Sequence, residues 1–177
     1  MAKKNGLALI AIGTFCLLVV LFVRALSINP HALPLERKGA LMPTFALSNL
    51  WQEHTLVTQQ DLLNKVVLLH FWASWCGVCH KEHETLLTLK DTGVYIVGVS
   101  YRDDPKAAKK WLSTKGDPFT INISDVNGQL GMELGVYGTP ETYVIDKNGH
   151  LQHRFVGPLT LSSYRKEIEP WINALKQ

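Results

Sequence analysis

Cysteine is scarce in this sequence and so is net charge, and each scarcity limits what the protein can be. The chain of 177 residues has three cysteines, and one of them, Cys16, lies in an apolar run where a thiol behaves as a small hydrophobe. The other two are too close together for an effective structural staple, since closing so short a loop removes little unfolded-chain entropy. The formal net charge of +3 comes partly from Lys3 and Lys4 rather than from a basic face, so nucleic acid is not expected as a partner.

A single long hydrophobic run is present near the N-terminus, from Gly6 to Val23. It is uncharged and about as long as a helix must be to cross a bilayer. Lysines precede it and Arg24 follows it, which favours a cytoplasmic N-terminus and an exported domain, although Arg37 and Lys38 weaken this orientation. The alternative is a cleaved signal peptide, but the run exceeds a usual signal-peptide core and no clear A-x-A cleavage site follows it.

The chain therefore divides into three predicted parts. Residues 1–25 form an uncleaved, single-pass membrane anchor, residues 26–42 form a linker interrupted by prolines, and residues 43–177 form one globular domain. A domain of this length can bury a real hydrophobic core.

The first half of the domain alternates strand and helix patterns. Val66–Trp72 and Val94–Tyr101 are almost continuous apolar runs, as in strands that are buried on both faces of a sheet. The segment between them is helical in composition, and Val78, Leu86 and Leu89 can share one apolar side of it. This order predicts a strand, a helix and a parallel strand.

The second half adds another helix, a hairpin and a terminal helix. Asp104 is placed to cap the second helix, and Gly116 marks its end. Two strand patterns flank Asn148-Gly149, which is a strong hairpin signal. The tail returns to helical spacing, although Pro170 is expected to kink or break it. Together these elements predict an α/β sandwich.

The cysteine pair falls where a buried strand ends and a helix begins. Cys76 lies at the predicted start of the helix, where unpaired backbone N–H groups and the helix dipole favour a thiolate. Cys79 is about one turn further on, close enough to form a disulfide with it. Cys76 is therefore predicted to attack a partner disulfide, and Cys79 to resolve the mixed disulfide that results.

Other interpretations of the same residues are open. With His80 the pair spells C-x-x-C-H, the attachment signature of c-type haem, and Met132, His150 or His153 could supply a second iron ligand. A non-catalytic thiol-holding chaperone is a further alternative. A zinc site would need a second cysteine pair, and a peroxidase would need a proline upstream of Cys76 that the sequence does not supply. The strand-turn-helix context favours redox thiols, with no metal or cofactor.

Two segments resemble a known family. "FWASWCGVC" is similar to the active-site segment of thioredoxin-like proteins, and "GVYGTPETYVIDKNG" is similar to the cis-proline segment of the membrane-anchored, exported branch called DsbE or CcmG. The resemblance covers nearly everything after Pro43, and the N-terminal anchor agrees with it. It implies a thioredoxin-like fold, with a central mixed sheet flanked by helices and preceded by one transmembrane helix.

The resemblance also implies a function and a location. The protein would be a thiol-disulfide oxidoreductase, held in the inner membrane with its catalytic domain in the periplasm. It would reduce the disulfide of apocytochrome c C-x-x-C-H sites, directly or through a CcmH-type thiol protein, during cytochrome c maturation. A membrane electron donor of the DsbD or CcdA type would recharge it. A general periplasmic disulfide reductase is the nearest alternative.

The resemblance assigns roles to individual residues. Cys76 and Cys79 would form the redox pair, and Pro140 would be the cis-proline that faces their disulfide. Thr139 would offer its backbone to an extended client by strand addition. Trp75 would also contact the client.

Acidic and histidine side chains complete the expected site. Glu82 and Glu141 would lie near the disulfide, where a partly buried carboxylate could relay protons to the second cysteine, and Glu141 would also contact the client. A solvated carboxylate in the first helical turn is the alternative for Glu82. His70 is expected to be a buried neutral histidine or a proton-transfer group, while His80 and His83 are expected to be exposed on the helix.

Overall fold

The computed structural model describes residues 2–26 and 38–176, and the side chains of residues 12–24 and 38–176. Most of the predicted linker, residues 27–37, lies outside the described residues. What is described of the domain begins before Pro43, because the backbone of Gly39 already bonds to that of Leu151.

Two units emerge from the contacts within the chain, Met1–His31 and Ala32–Gln177. The first contains helix α1 (Ala2–Leu26), whose described apolar side chains from Ile12 to Val23 are exposed. Within the described residues, no helix combines the length and the apolar character needed to span a membrane. The transmembrane helix stays a prediction.

The second unit is built on a five-stranded mixed sheet. The described strands are β1 (Ala46–Ser48), β2 (Leu56–Thr58), β3 (Val67–Trp72), β4 (Ile96–Tyr101), β5 (Ile121–Asp125), β6 (Glu141–Ile145) and β7 (Leu151–Val156). The sheet has the order β5-β4-β3-β6-β7, while β1 and β2 form a separate antiparallel pair. Strands β3, β4 and β5 are parallel, β6 is antiparallel to β3, and β7 is antiparallel to β6. The predicted mixed sheet is confirmed.

Helices cover both faces of this sheet. They are α2 (Gly77–Asp91), α3 (Pro105–Lys115), α4 (Gln129–Leu134) and a terminal helix made of α5 (Leu161–Ser163), a π turn (Tyr164–Ile168) and α6 (Glu169–Lys176). Apolar residues of α2, α3 and the terminal helix share one core with alternate residues of β3, among them Leu68 and Trp72. The intervening residues Leu69 and Phe71 join a second core with α4. All six residues of β3 are buried, as its apolar run predicts.

Helix boundaries follow local chemistry. The Asp104 side chain accepts the N–H of Lys106, and Pro105 opens α3, as predicted. The predicted apolar side of α2 is partly wrong. Leu86 and Leu89 are buried there, but Val78 is 43% exposed because it lies in the first turn, beside the cysteines and away from the core.

Pro170 does not break the terminal helix. The N–H of Glu169 bonds the carbonyl of Tyr164, five residues earlier, so a wider π turn directly precedes the proline. Proline lacks an N–H, and its ring would meet the carbonyl four residues before it in a regular α-helix. The wider turn makes room for that ring, and the helix continues to Lys176.

Candidate active site

The two site cysteines lie at the junction of β3 and α2. Cys76 is the residue that caps α2, and its Sγ accepts the N–H of Cys79 at 3.1 Å. The two sulfurs form a disulfide, and both residues are almost fully buried. An N–H group at the start of a helix favours a thiolate on a sulfur that it faces.

A loop with a cis-proline lies against this disulfide. The Thr139–Pro140 peptide bond is cis, as the resemblance implies, and it leads directly into β6. The carbonyl oxygen of Thr139 lies 3.6 Å from the Sγ of Cys76. The structure therefore brings Cys76, Cys79, Thr139 and Pro140 together, with a backbone edge beside the reactive sulfur.

Glu82 lies on α2 three residues after Cys79, on the side that faces the sheet, and it is 2% exposed. Its Oε2 accepts the N–H of Leu159 at 2.6 Å, and its Oε1 lies 3.2 Å from the Nε2 of His70. Burial and these partners make the solvated interpretation of Glu82 wrong. The carboxylate belongs to the core beneath the cysteines.

Glu141 follows the cis-proline but points to the other face of the sheet. Its Oε1 accepts the N–H groups of Tyr137 and Gly138, at 2.8 and 3.3 Å. Its Oε2 lies 2.9 Å from the Nε and 2.7 Å from the Nη2 of Arg154. A carboxylate engaged in this way holds the loop before Pro140 in place, and its lone pairs are already taken up by these donors.

Trp75 is held at the surface next to the cysteines. Its side chain is 60% exposed, and its Nε1 donates to the carbonyl of Arg102 at 3.1 Å. The preceding residue, Ser74, donates its N–H and its hydroxyl to the buried carboxylate of Asp103. These contacts fix the turn between β3 and α2.

The rim of the site is apolar and open. Trp75, Val78 and Tyr137 are 60%, 43% and 78% exposed, and they flank the cysteines and the cis-proline in sequence. Exposed aromatic side chains next to a reactive group are typical of a surface that receives another protein chain.

One of the two histidines of α2 differs from the prediction. His80 is exposed, as expected, but its ring stacks on Trp111 and its Nε2 lies 2.9 Å from the carbonyl oxygen of Ser74. His83 is buried, contrary to the prediction, with its Nε2 3.1 Å from the carbonyl oxygen of Gly116. Burial lowers the pKa of His83, although its hydrogen bonds to the backbone carbonyls of Lys115 and Gly116 oppose this shift. The misassignment arose because α3 covers this side of α2.

The residues considered for haem or metal binding are dispersed. His150 lies 3.4 Å from Asp146, His153 stacks on Trp171, and Met132 is exposed on α4. Among the described residues, no group of three potential metal-binding side chains is found.

Comparison with known proteins identifies the family of the chain. The Redoxin family matches residues 37–168. A thiol:disulfide interchange protein DsbE from Pseudomonas aeruginosa is 38% identical, over 94% of this chain and 93% of that protein. Another DsbE, from Tatumella citrea, is 40% identical over 82% of this chain and 79% of that protein. The chain is a thioredoxin-like member of the DsbE family. It is a thiol-disulfide oxidoreductase with Cys76 and Cys79 as its redox pair.

Solved structures agree with this assignment. A Chlorobium tepidum protein described as a candidate DsbE superposes with a TM-score of 0.63 at 30% identity, over 78% of this chain and 97% of that one. A secreted thiol-disulfide isomerase from Corynebacterium glutamicum shares the fold, with a TM-score of 0.65 at 23% identity, over 75% of this chain and 85% of that one.

Several residues that contact this DsbE-family site were not predicted from the sequence. Arg154 pairs with Glu141, Asp103 holds Ser74, and Thr142 contacts His70. A polar residue such as Arg154 in a strand pattern gives no local signal of its partner. Thr142 could have been found, since it lies opposite His70 once β3 and β6 are paired in register.

Proposed function

We propose that this protein is a membrane-anchored periplasmic reductant for cytochrome c maturation. Its client would be the disulfide of apocytochrome c C-x-x-C-H sites, or an intermediary CcmH-type thiol protein. The observation that carries the proposal is the disulfide set against the cis-Pro140 loop, with the Thr139 carbonyl 3.6 Å from the Cys76 sulfur. The family resemblance supports the choice of client.

The geometry supports a two-step exchange. A client strand would align along the backbone at Thr139, and the exposed side chains of Trp75 and Tyr137 would be available to contact it. The Cys76 thiolate attacks one sulfur of the client disulfide, and the other client sulfur leaves as a thiolate. Cys79 then attacks Cys76, which releases the reduced client and restores the disulfide.

Recharging requires a second partner. A membrane electron donor of the DsbD or CcdA type would reduce the disulfide by the reverse sequence, with the donor's thiol attacking Cys76. The apolar rim would serve both encounters, because each partner must reach the same sulfur.

The anchor is part of the proposal. The uncharged run from Gly6 to Val23 and the exposed apolar side chains described in α1 support a helix held in lipid. Fractionation of cells expressing the full chain should place it in the inner membrane, with the domain open to protease added to the periplasm. Recovery in a soluble fraction would remove the anchor from the proposal.

A trapping experiment tests the choice of client. A Cys79→Ser variant cannot resolve the mixed disulfide, so an oxidised C-x-x-C-H peptide should accumulate as an adduct on Cys76. The matched Cys76→Ser variant should trap nothing, because the attacking sulfur is gone. Absence of any adduct with the Cys79→Ser variant would count against the proposed client.

Rates distinguish the alternatives. The wild-type protein should reduce the C-x-x-C-H peptide faster than insulin, and equal rates would indicate a general disulfide reductase. A Soret band in the purified full chain would instead support haem attachment. Full activity of the Cys79→Ser variant would favour the thiol-holding chaperone.

A further inference from the structure

His70 occupies the centre of the main sheet with no access to solvent. It belongs to β3 and its side chain is on the face covered by α2, where its ring stacks on Phe119 with 6.1 Å between ring centres. Its Nδ1 lies 2.9 Å from the Oγ1 of Thr142, on the paired strand β6. Its Nε2 lies 3.2 Å from the Oε1 of Glu82.

His70 and Glu82 approach each other through the Nε2 of the histidine and the Oε1 of the carboxylate. In the described part of the chain, neither the Nε2 of His70 nor the Oε1 of Glu82 has a hydrogen-bond partner, and at 3.2 Å the two are not aligned as a formed hydrogen bond. The other oxygen of Glu82 is already bonded to the N–H of Leu159. A proton placed between Nε2 and Oε1 would satisfy both buried atoms.

Few other titratable groups share this face of the sheet. Those that do are Cys79 and His83 from α2, Asp117 before β5, His153 from β7 and Tyr164 from the terminal helix, while β4, β5 and β6 contribute the non-titrating Gly98, Asn122 and Thr142. The buried Arg154–Glu141 ion pair lies on the opposite face. No other buried cation among the described residues therefore balances Glu82, and one added proton, beyond the one that a neutral His70 already carries, would make the His70–Glu82 pair neutral.

Cys79 lies on α2 one helical turn before Glu82. Residues three apart on a helix have Cβ atoms about 5–6 Å apart on one face, and Cys79 and Glu82 are both buried on the face toward the sheet. Cys79 must lose its proton before it can attack Cys76. Transfer of that proton to the pair moves one negative charge from the carboxylate to the sulfur, so the net buried charge does not change.

We propose that His70 is a positioning residue for the resolving step. His70 holds Glu82 in place and shares with it the proton that Cys79 gives up. This inference rests on the thiol-disulfide exchange described above. The Cys79 thiol transfers its proton to the Glu82 carboxylate, and the proton is then shared with the Nε2 of His70. The Cys79 thiolate attacks the Cys76 sulfur, the new S–S bond forms, and the bond from Cys76 to the client breaks. The client sulfur leaves as a thiolate with the electron pair and takes a proton from solvent.

Stopped-flow reaction of the reduced full chain with Ellman's reagent separates the two steps. Attack by Cys76 releases the first thionitrobenzoate, and resolution by Cys79 releases the second. A Cys16→Ala background in every variant removes the thiol outside the site. The His70→Asn variant should keep the first phase and slow the second by about tenfold near neutral pH, a part of what a general base typically contributes. The difference should disappear at alkaline pH, where solvent removes the Cys79 proton.

Two further variants sharpen the comparison. Adding His70→Asn to Glu82→Gln should cause no additional slowing, because His70 acts through Glu82. The matched control is His153→Asn, another histidine on the same sheet face that stacks on Trp171, and it should leave both phases unchanged.

The outcomes that overturn the inference are distinct from failure of the proposed function. A second phase unchanged in His70→Asn, or slowed equally at every pH, would overturn the role of His70 while wild-type exchange remained intact. Absence of both phases in the wild-type protein would overturn the exchange itself. If the His70→Asn variant fails to fold, NMR of the ring nitrogens of His70 in the wild-type protein replaces the stopped-flow comparison. A His70 protonation state that does not respond to pH in either redox form would also overturn the inference.

Discussion

At the scale of single residues, the loop beside the disulfide depends on one buried ion pair. Arg154 and Glu141 have side chains 6% and 1% exposed, and Arg154 also donates to the carbonyl of Gly135 at 2.9 Å. Glu141 in turn accepts the N–H groups of Tyr137 and Gly138. The pair therefore ties β6 and β7 to the segment that presents the cis-proline.

Removal of one partner should be costly. In an Arg154→Met variant the Glu141 carboxylate stays buried without its counter-ion, which typically destabilises a protein by about 3–5 kcal/mol. Urea unfolding of the oxidised protein should show this loss as a lower midpoint.

An exposed pair provides the matched control. Lys109 lies 2.6 Å from Glu53, whose side chain is 66% exposed, so Lys109→Met should leave the unfolding midpoint almost unchanged. Similar losses in the two variants would show that burial of the Arg154–Glu141 pair does not matter.

The buried His83 predicts a dependence of stability on pH. Burial holds the pKa of His83 below its ordinary value of 6.5, so the folded state resists protonation while the unfolded chain takes up a proton as the pH falls through 6.5. The free energy of unfolding should fall between pH 6.5 and the lowered folded pKa, by up to about 1.4 kcal/mol per pH unit. A His83→Gln variant should flatten this decline in urea titrations at several pH values.

The His83→Gln substitution should remove only part of the decline in the free energy of unfolding at low pH. His153 also has a pKa lowered by burial, so the decline should be reduced and not abolished. Substitution of the exposed His54 by Gln is the control and should not alter the slope. An unchanged slope in the His83→Gln variant would contradict the assignment.

At the scale of elements, β4 and the segment before β5 must approach closely for His70 to be covered. A Cβ placed on Gly98 would lie 2.5 Å from two atoms of the Phe119 ring. That ring stacks on both Trp72 and His70 of the neighbouring strand β3. The glycine in β4 therefore allows an aromatic lid over the buried histidine.

A Gly98→Ala variant should displace this lid. Overpacking of this kind typically costs about 1–3 kcal/mol, because the ring must move within a filled core. Gly77→Ala is the control, since a Cβ there meets no atom within 4 Å. Thermal unfolding should separate the two variants, and equal melting temperatures would show that Phe119 moves without cost.

At the scale of the whole molecule, the chain consists of two units that each have their own contacts. The second unit contains the complete sheet, both cores and every residue of the proposed exchange. A domain with its own hydrophobic core is expected to fold independently.

A fragment of residues 32–177 should therefore fold cooperatively and reduce insulin at the rate of the full chain in detergent. Circular dichroism and a turbidity assay would measure folding and activity. The Cys76→Ser form of the same fragment serves as the inactive control. A fragment that is unfolded, or folded but inactive, would show that the domain needs residues before Ala32.

The local sequence was sufficient for the strands and helices next to the site and for the redox pair, but it did not reveal β1 and β2. The apolar run of β3, the Asp104 cap and the cysteines at the start of α2 depend on interactions among residues a few positions apart, and these leave a pattern in the sequence. The cis-proline was found through resemblance to a family, because its partner across the site is distant in the chain.

Tertiary structure decided which polar atoms meet. The contacts His70–Thr142 and Glu82–Leu159 join residues 72 and 77 positions apart, and they exist only once β3 is paired with β6 and α2 is docked on the sheet. Burial of His83 likewise required α3 to cover α2. Periodicity in the sequence specifies that a residue faces a core. Strand register and helix docking determine which atoms it contacts there, because both are set by the packing of the whole domain.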